Sequence, residues 1–149
     1  MRWEFSAFAE LSPKALHEIL KARAEVFVVE QRCAYLDPDD FDELAHHLVL
    51  RGERGELVAY SRLLPPKTKH QEASIGRALT TKAARRKGFG RLLMRESLAR
   101  AARLYPDSPI RIEAQAHLEK FYNEFGFERV SELYEMDGIP HIEMLRKNP

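Results

Sequence analysis

Residues 85–91 read Arg85-Arg86-Lys87-Gly88-Phe89-Gly90-Arg91. They stand between a segment patterned as a strand and one patterned as a helix, and that placement organises the rest of the chain. Two glycines let the backbone pass close to a ligand and leave several N–H groups pointing one way. A helix start adds a partial positive charge, and four cationic side chains surround it. In chemical terms this is a cradle for a pyrophosphate. The same residues also describe a basic helix start that is merely solvated, and this stretch alone leaves both readings open. The GxxxxGK[ST] spacing of a Walker loop is absent, as is the GxGxxG of a dinucleotide fold.

Downstream, Gly90, Leu93, Met94, Ser97, Leu98, Ala101, Leu104 and Tyr105 share one face of a helix over about 88–105. Arg91, Arg95, Arg100 and Arg103 lie off that face. After the turn Asp107-Ser108-Pro109, residues 110–115 alternate as a strand, with Ile110, Ile112 and Ala114 on one side. Leu118, Phe121, Tyr122 and Phe125 then follow helical spacing, and Gly126 stands where a left-handed C-cap belongs. Strand-like segments follow at about 127–130 and 141–145.

Upstream, about 73–80 reads as a strand, and 47–50 with 57–64 reads as a hairpin around the turn from Gly52 to Gly55. Leu11-Ser12-Pro13 opens a first helix, with Ser12 as cap, Pro13 at the first helical position and Leu11 stapled onto Leu16. Leu16, Ile19, Leu20, Ala24 and Phe27 carry that helix to about Val28. The acidic stretch Asp37-Pro38-Asp39-Asp40 breaks the chain, and 41–45 reads as a short second helix. The order is helix, strands, helix, strand, helix, strands. The strand–helix–strand unit around Gly88 implies one parallel pair in an otherwise antiparallel sheet. The fold class is therefore α/β (α+β), a central mixed, mainly antiparallel sheet flanked by helices.

The 149 residues suit a single domain spanning 1–149. With 24 Lys+Arg against 23 Asp+Glu the net charge is +1, which gives no general drive toward nucleic acid or anionic membranes. Cys33 is the only cysteine, so neither an intrachain disulfide nor a thiolate zinc cluster is expected, and nothing around it marks a nucleophile. The six histidines lack metal-site spacing, and no metal is expected. No apolar run approaches the ~20 residues of a membrane span, and the N-terminus has no signal-peptide core. A cytoplasmic setting is the expectation.

Two segments together carry a family resemblance: Arg85-x-x-Gly88-x-Gly90, and Phe121-Tyr122 through Gly126-Phe127. They resemble the pyrophosphate loop and the later YxxxGF segment of the GNAT superfamily, the Gcn5-related N-acetyltransferases. Arg23 to Gln31, Ile75-Gly76-Arg77, Ala114 to Leu118 and Asp137 to Met144 further resemble the ElaA subgroup, so the likeness runs over nearly the whole chain. It implies a GNAT-like sheet, splayed between the strands ending near Thr80 and Gln115, with the acetyl thioester in the splay. It implies acetyl-CoA as donor substrate, a primary amine as acceptor, and a monomer or homodimer. Backbone at Leu79, Thr80 and Thr81 would hold the pantetheine arm. Arg85, Arg86, Lys87, Gly88, Phe89, Gly90 and Arg91 would hold the pyrophosphate. Gln115 stands where many members carry an Asn that contacts CoA, a departure that keeps the amide on a longer arm. Tyr122 matches the tyrosine that protonates the departing thiolate. Taken without the motif, Tyr122 reads as a core residue with its hydroxyl at the surface.

Acetyl transfer to an amine needs a base. An ammonium of pKa ~10.4 is neutral about once in 2,500 at pH 7, a cost of roughly 4.6 kcal/mol. His117, His141, Glu113, Glu143 or a water chain are the candidates. His141 is set beside Asp137 and Glu143 as a catalytic candidate, with the alternative that it satisfies the Gly138-Ile139-Pro140 turn. Glu113 alternates with Arg111 and Gln115 on a polar face, which reads as solvent exposure. Gln31, Tyr35, Arg62 and His117 are expected to line an acceptor pocket, each with a packing or surface alternative. Two competing readings remain: a non-catalytic acyl-CoA-binding or sensing domain, and transfer from S-adenosylmethionine, since Arg23-x-x-Val26-Phe27 resembles the acyl-homoserine-lactone synthases.

Overall fold

In the computed structural model, residues 1–147 are described. The strands are β1 (Arg2–Ala7), β2 (His46–Arg51), β3 (Leu57–Leu64), β4 (Ala73–Thr80), β5 (Ile110–Gln115), β6 (Glu128–Arg129), β7 (Tyr134–Met136) and β8 (Ile139–Arg146). The α-helices are α1 (Pro13–Arg23), α2 (Phe89–Leu104) and α3 (Glu119–Asn123). One sheet runs β1-β2-β3-β4-β5-β8-β6, with β7 paired to β8. Among the described residues only the β4–β5 pair is parallel, as the strand–helix–strand unit requires.

Two strands lay outside the sequence reading. β1 pairs along the whole of β2, and its Trp3 and Phe5 pack on the core. β7 joins β8 through Asp137-Gly138, both left-handed at φ +52° and +79°, the conformation of a two-residue hairpin turn. The first helix, expected to run to about Val28, changes its winding part-way. Ser12 Oγ accepts the Ala15 N–H at 3.0 Å, α1 ends at Arg23, and wider π-helical turns carry the chain over Ala24–Glu30. The expected second helix reduces to a 3-10 turn at Asp42–Leu44.

The sheet sorts its side chains between two layers. Leu48, Leu50, Ala59, Leu63, Ile112 and Ala114 point toward α2, where Leu93 and Met94 meet them. Val49, Tyr60 and Leu79 point the other way, toward Ile19 and Ala22 of α1. Where α2 crosses β3 the contact is close and polar: the Ser61 and Ser97 hydroxyls lie 2.8 Å apart, and Ser97 also donates to Leu93 O at 2.7 Å.

A β-bulge shapes the centre of the sheet. Tyr60 pairs with Leu79 and Arg62 with Gly76, so β4 spends one more residue than β3 over the same length. Arg77, inside the bulge, is left-handed at φ +52°. The extra residue breaks the alternation, which is why Ile75 joins the α2-side core while Leu79 joins the α1-side core. β4 then parts from β5: only Ala73↔Ile110 and Ser74↔Arg111 pair. From Ile75 to Thr80 the edge of β4 toward β5 has no strand against it.

The acidic stretch that reads as a chain breaker is a strap across the α1 side of β3 and β4, with Asp37 buried, Asp39 partly buried, and Pro38 and Asp40 exposed. Arg23, fully out of solvent, bonds Asp37 Oδ2 and Asp42 Oδ1 at 2.7 Å each. Arg62 Nη1 bonds Asp39 at 2.6 Å and Asp42 at 2.9 Å. Arg77 Nε bonds Asp37 Oδ1 at 2.8 Å. Three guanidinium groups thus meet three carboxylates, the pairing that burying charge demands. No helix among the described residues is long and apolar enough to cross a membrane.

Candidate functional site

The parting of β4 from β5 opens a cleft of about 720 Å³. The cleft passes through the sheet. Tyr122 reaches it from the α2 side, where α3 packs on the main core. Gln115 and His141, cross-strand partners on β5 and β8, reach it from the opposite side, because buried Ala114 next to Gln115 points toward α2.

The glycine loop sits at the mouth. Arg86 (φ +65°) and Gly88 (φ +82°) are both left-handed, a backbone turn that gathers N–H groups into an anion-binding concavity. No side chain caps the start of α2 at Gly88, so its first amides are open. Gly90 is a packing position as well: a Cβ there would lie 3.9 Å from Phe121 Cζ. The four cations are not equivalent. Arg85 forms a fork with Glu30 at 2.7 and 2.8 Å, and Arg91 pairs with Glu124 at 2.6 Å. Arg86 and Lys87 are exposed and have no ion pair among the described residues. Leu79, Thr80 and Arg85 line the cleft. The Thr81 amide is already used, donating to Val58 O at 3.0 Å, so the open run of β4 ends at Thr80.

Tyr122 stands edge-on to Phe121 and Phe127, at ring-centre distances of 5.2 and 6.0 Å. Burial pushes its phenol up to about 12. No group among the described residues hydrogen-bonds its hydroxyl. Of the two roles weighed for His141, the structure shows the contact with the Gly138-Ile139-Pro140 turn. Its Nδ1 lies 2.7 Å from Ile139 O. A carbonyl only accepts, so Nδ1 carries the hydrogen, and in the neutral ring Nε2 keeps a free lone pair.

Gln31, Tyr35, Arg62 and His117 all line the cleft, His117 from its exposed rim. The acidic strap already holds two of their polar ends. Tyr35 donates to Asp37 Oδ1 at 2.6 Å, and burial followed by that bond drives its phenol up. Arg62 spends Nη1 on Asp39 and Asp42, while its buried Nε has no partner among the described residues. Glu113 differs from its reading as a solvated residue. It lines the cleft with Lys69 Nζ 3.3 Å from Oε2 and His70 Nε2 3.0 Å from Oε1. Lys69 and His70 lie on the β3–β4 loop, where no periodic pattern points to a site. Cys33 is buried in the wall, donating to the Asp137 carbonyl at 3.3 Å and the Gln31 carbonyl at 3.4 Å. No three His, Cys, Asp or Glu side chains among the described residues are grouped to hold a metal.

A family model described as an acetyltransferase (GNAT) domain matches residues 10–147. A UPF0039 protein of Synechocystis is 45% identical over 149 residues, covering 100% of this chain and 97% of that protein. The crystal structure of an acyl-CoA N-acyltransferase from Pseudomonas aeruginosa matches with a TM-score of 0.93 at 43% identity, over 97% of this chain and 98% of that one. The crystal structure of Escherichia coli ElaA matches with a TM-score of 0.92 at 40% identity, over 99% of this chain and 100% of that one. On these whole-chain matches the chain belongs to the GNAT acyltransferase family, in its ElaA-like group.

Proposed function

We propose that this protein is an N-acetyltransferase that passes the acetyl group of acetyl-CoA directly to a primary amine within one ternary complex. The observation that carries the reading is the unpaired β4 edge from Ile75 to Thr80, lying between the left-handed loop at Gly88 and a buried phenol. An extended pantetheine amide fits such an edge as a further strand would. The pyrophosphate fits the loop amides at the start of α2, with Arg86 and Lys87 free to meet its charge.

The amine arrives as an ammonium and must lose a proton before it attacks. His141 Nε2 is the lone pair on the acceptor side of the sheet, and the bond from Nδ1 to Ile139 O fixes the tautomer that presents it. The amine nitrogen then bonds to the acyl carbon, the C–S bond breaks with its pair on sulfur, and the new amide gives up its second proton. Across the reaction one of the two protons ends on the CoA sulfur and the other is released.

Tyr122 serves the leaving sulfur, and its raised pKa defines how. Moving a proton from a phenol at about 12 to a thiolate of conjugate-acid pKa ~8.5 runs uphill by roughly 5 kcal/mol. Tyr122 therefore acts as a hydrogen-bond donor that stabilises charge as it develops, rather than as an acid that ionises. Gln115, Gln31 and His117 shape the cleft around the reacting atoms, with Tyr35 and Arg62 fixed in its wall by the aspartates.

Calorimetric titration with acetyl-CoA, run in parallel with S-adenosylmethionine, tests the donor. Release of free CoA thiol across a panel of amines tests the transfer. Absence of acetyl-CoA binding overturns the proposal, and so does binding of S-adenosylmethionine in its place. Binding without turnover of any amine moves the protein to the sensing class.

A further inference from the structure

The acceptor side of the cleft already holds an alkylammonium. Lys69 reaches in from the β3–β4 loop, its Nζ 3.3 Å from Glu113 Oε2 and 5.9 Å from the centre of the Phe41 ring. A carboxylate with an aromatic face nearby is a recognition pattern for an organic cation. Neither partner is locked away: the Lys69 and Glu113 side chains are 26% and 18% exposed, and both line the cleft. The pair is thus an exchangeable contact, held together only weakly.

The surroundings favour a cation at this point. Arg111 is divided between Glu72 and Glu143, and Glu113 faces Glu143 across the β5–β8 ladder. Three carboxylates, Glu72, Glu113 and Glu143, therefore stand against two permanent cations, Arg111 and Lys69. If Lys69 swings out, Glu113 keeps His70 Nε2 at 3.0 Å on Oε1 and its Oε2 is opened to another cation. The neighbouring Tyr134 phenol is pushed up to about 12, by burial first and then by Glu113 and Glu143.

The spacing sets the length of the ligand. Glu113 precedes Gln115 by two residues on β5, and His141 stands opposite Gln115. Glu113 and His141 are thus diagonal neighbours across the β5–β8 ladder, roughly 7–8 Å apart, about the reach of a short aliphatic chain between two nitrogens. We propose, resting on the acetyl-transfer reading above, that the acceptor is a short α,ω-diamine. Glu113 takes its distal ammonium at the place Lys69 now occupies, while its other nitrogen lies beside His141 and is acetylated. Lys69 is a placeholder that the diamine displaces.

The test compares butane-1,4-diamine with butylamine, reading CoA thiol release for the intact protein, Glu113→Gln and Lys69→Met, with acetyl-CoA titration as the check on folding. The wild type is expected to prefer the diamine by about tenfold or more in kcat/KM, as a charge-assisted bond implies. Glu113→Gln is expected to collapse that preference through KM. Lys69→Met is expected to lower the KM for the diamine several-fold. Equal use of both amines by the wild type overturns the inference and leaves acetyl transfer standing. Equal losses for both amines in Glu113→Gln, or a raised diamine KM in Lys69→Met, also overturn it. Failure of the wild type on every amine counts against the acetyl-transfer reading instead.

Discussion

Arg23 Nη1 lies 2.7 Å from Asp42 Oδ1, with Arg23 wholly out of solvent beneath the acidic strap. Burial alone would push the Asp42 carboxyl upward. The Arg23 hydrogen bond and charge, the Asp39 amide and Arg62 outweigh it and hold the group at about 2, against the ordinary 3.8 of an aspartate. A carboxyl lowered in the fold adds stability that is complete above its unfolded pKa and disappears as pH falls through the folded one. Asp42 thus contributes about 2 kcal/mol, lost between roughly pH 4 and pH 2. His47 moves the same way from a higher starting point. Burial lowers it from 6.5, and the ring stays neutral between Tyr60 OH at 2.8 Å and Asp42 O at 3.0 Å. Urea midpoints measured against pH are expected to decline below about 6.5 and to steepen below about 4. A flat profile from 7 to 3 contradicts this.

Arg23→Met removes the cation that Asp37 and Asp42 share. Removing one partner of a buried ion pair costs about 3–5 kcal/mol, and Arg77 on Asp37 with Arg62 on Asp42 holds the loss toward the lower end. Urea unfolding of the variant at neutral pH is expected to show that loss, partly recovered near pH 4 as the carboxyls protonate. A loss below about 1 kcal/mol would place the strap among ordinary surface pairs.

Tyr122→Phe keeps the ring contacts with Phe121 and Phe127 and removes only the hydroxyl. The expected result is a fall in kcat on the order of 10²-fold with acetyl-CoA affinity unchanged. Because the phenol sits at about 12, it stays protonated through any ordinary assay range. The kcat profile is therefore expected to show no alkaline fall from this group below about pH 11. Unchanged kcat in the variant removes Tyr122 from the mechanism.

Gly88 and Gly90 separate backbone conformation from ligand approach. At Gly88 a Cβ meets nothing within 4 Å, yet φ is +82°. Gly88→Ala is expected to cost about 1–2 kcal/mol through strain alone. At Gly90 the added methyl meets only Phe121 at 3.9 Å, on a helical turn. Gly90→Ala is expected to be neutral or to add up to about 1 kcal/mol of stability. Both variants are expected to weaken acetyl-CoA binding in calorimetry. If Gly90→Ala binds normally, the pyrophosphate does not cross the helix start at that residue.

Much of this was legible along the chain because local periodicity reports local structure. The alternation of Ile110, Ile112 and Ala114 marked β5, the spacing of Leu93, Met94, Ser97 and Ala101 marked α2, and Gly126 marked the end of the α3 segment, with φ +88°. β1 escaped the reading although Trp3, Phe5 and Ala7 alternate along its six residues, as many as in β5. β7 escaped although Asp137-Gly138 is a strong hairpin signal, since three residues show too little alternation to read as a strand.

The sequence by itself determined the glycine loop at a helix start, the parallel pair on either side of it and the placing of Tyr122 on an apolar helix face. All three follow from side-chain spacing and from the conformational freedom of glycine. Only the tertiary structure decided that Asp37, Asp39 and Asp42 are the partners of Arg23, Arg62 and Arg77, and that Lys69 and His70 meet Glu113 inside the cleft. A charged residue carries no mark of its partner in its own stretch of sequence. Its neighbours are set by how β3, β4 and β5 lie side by side, and its burial is tolerated only once an opposite charge is brought against it.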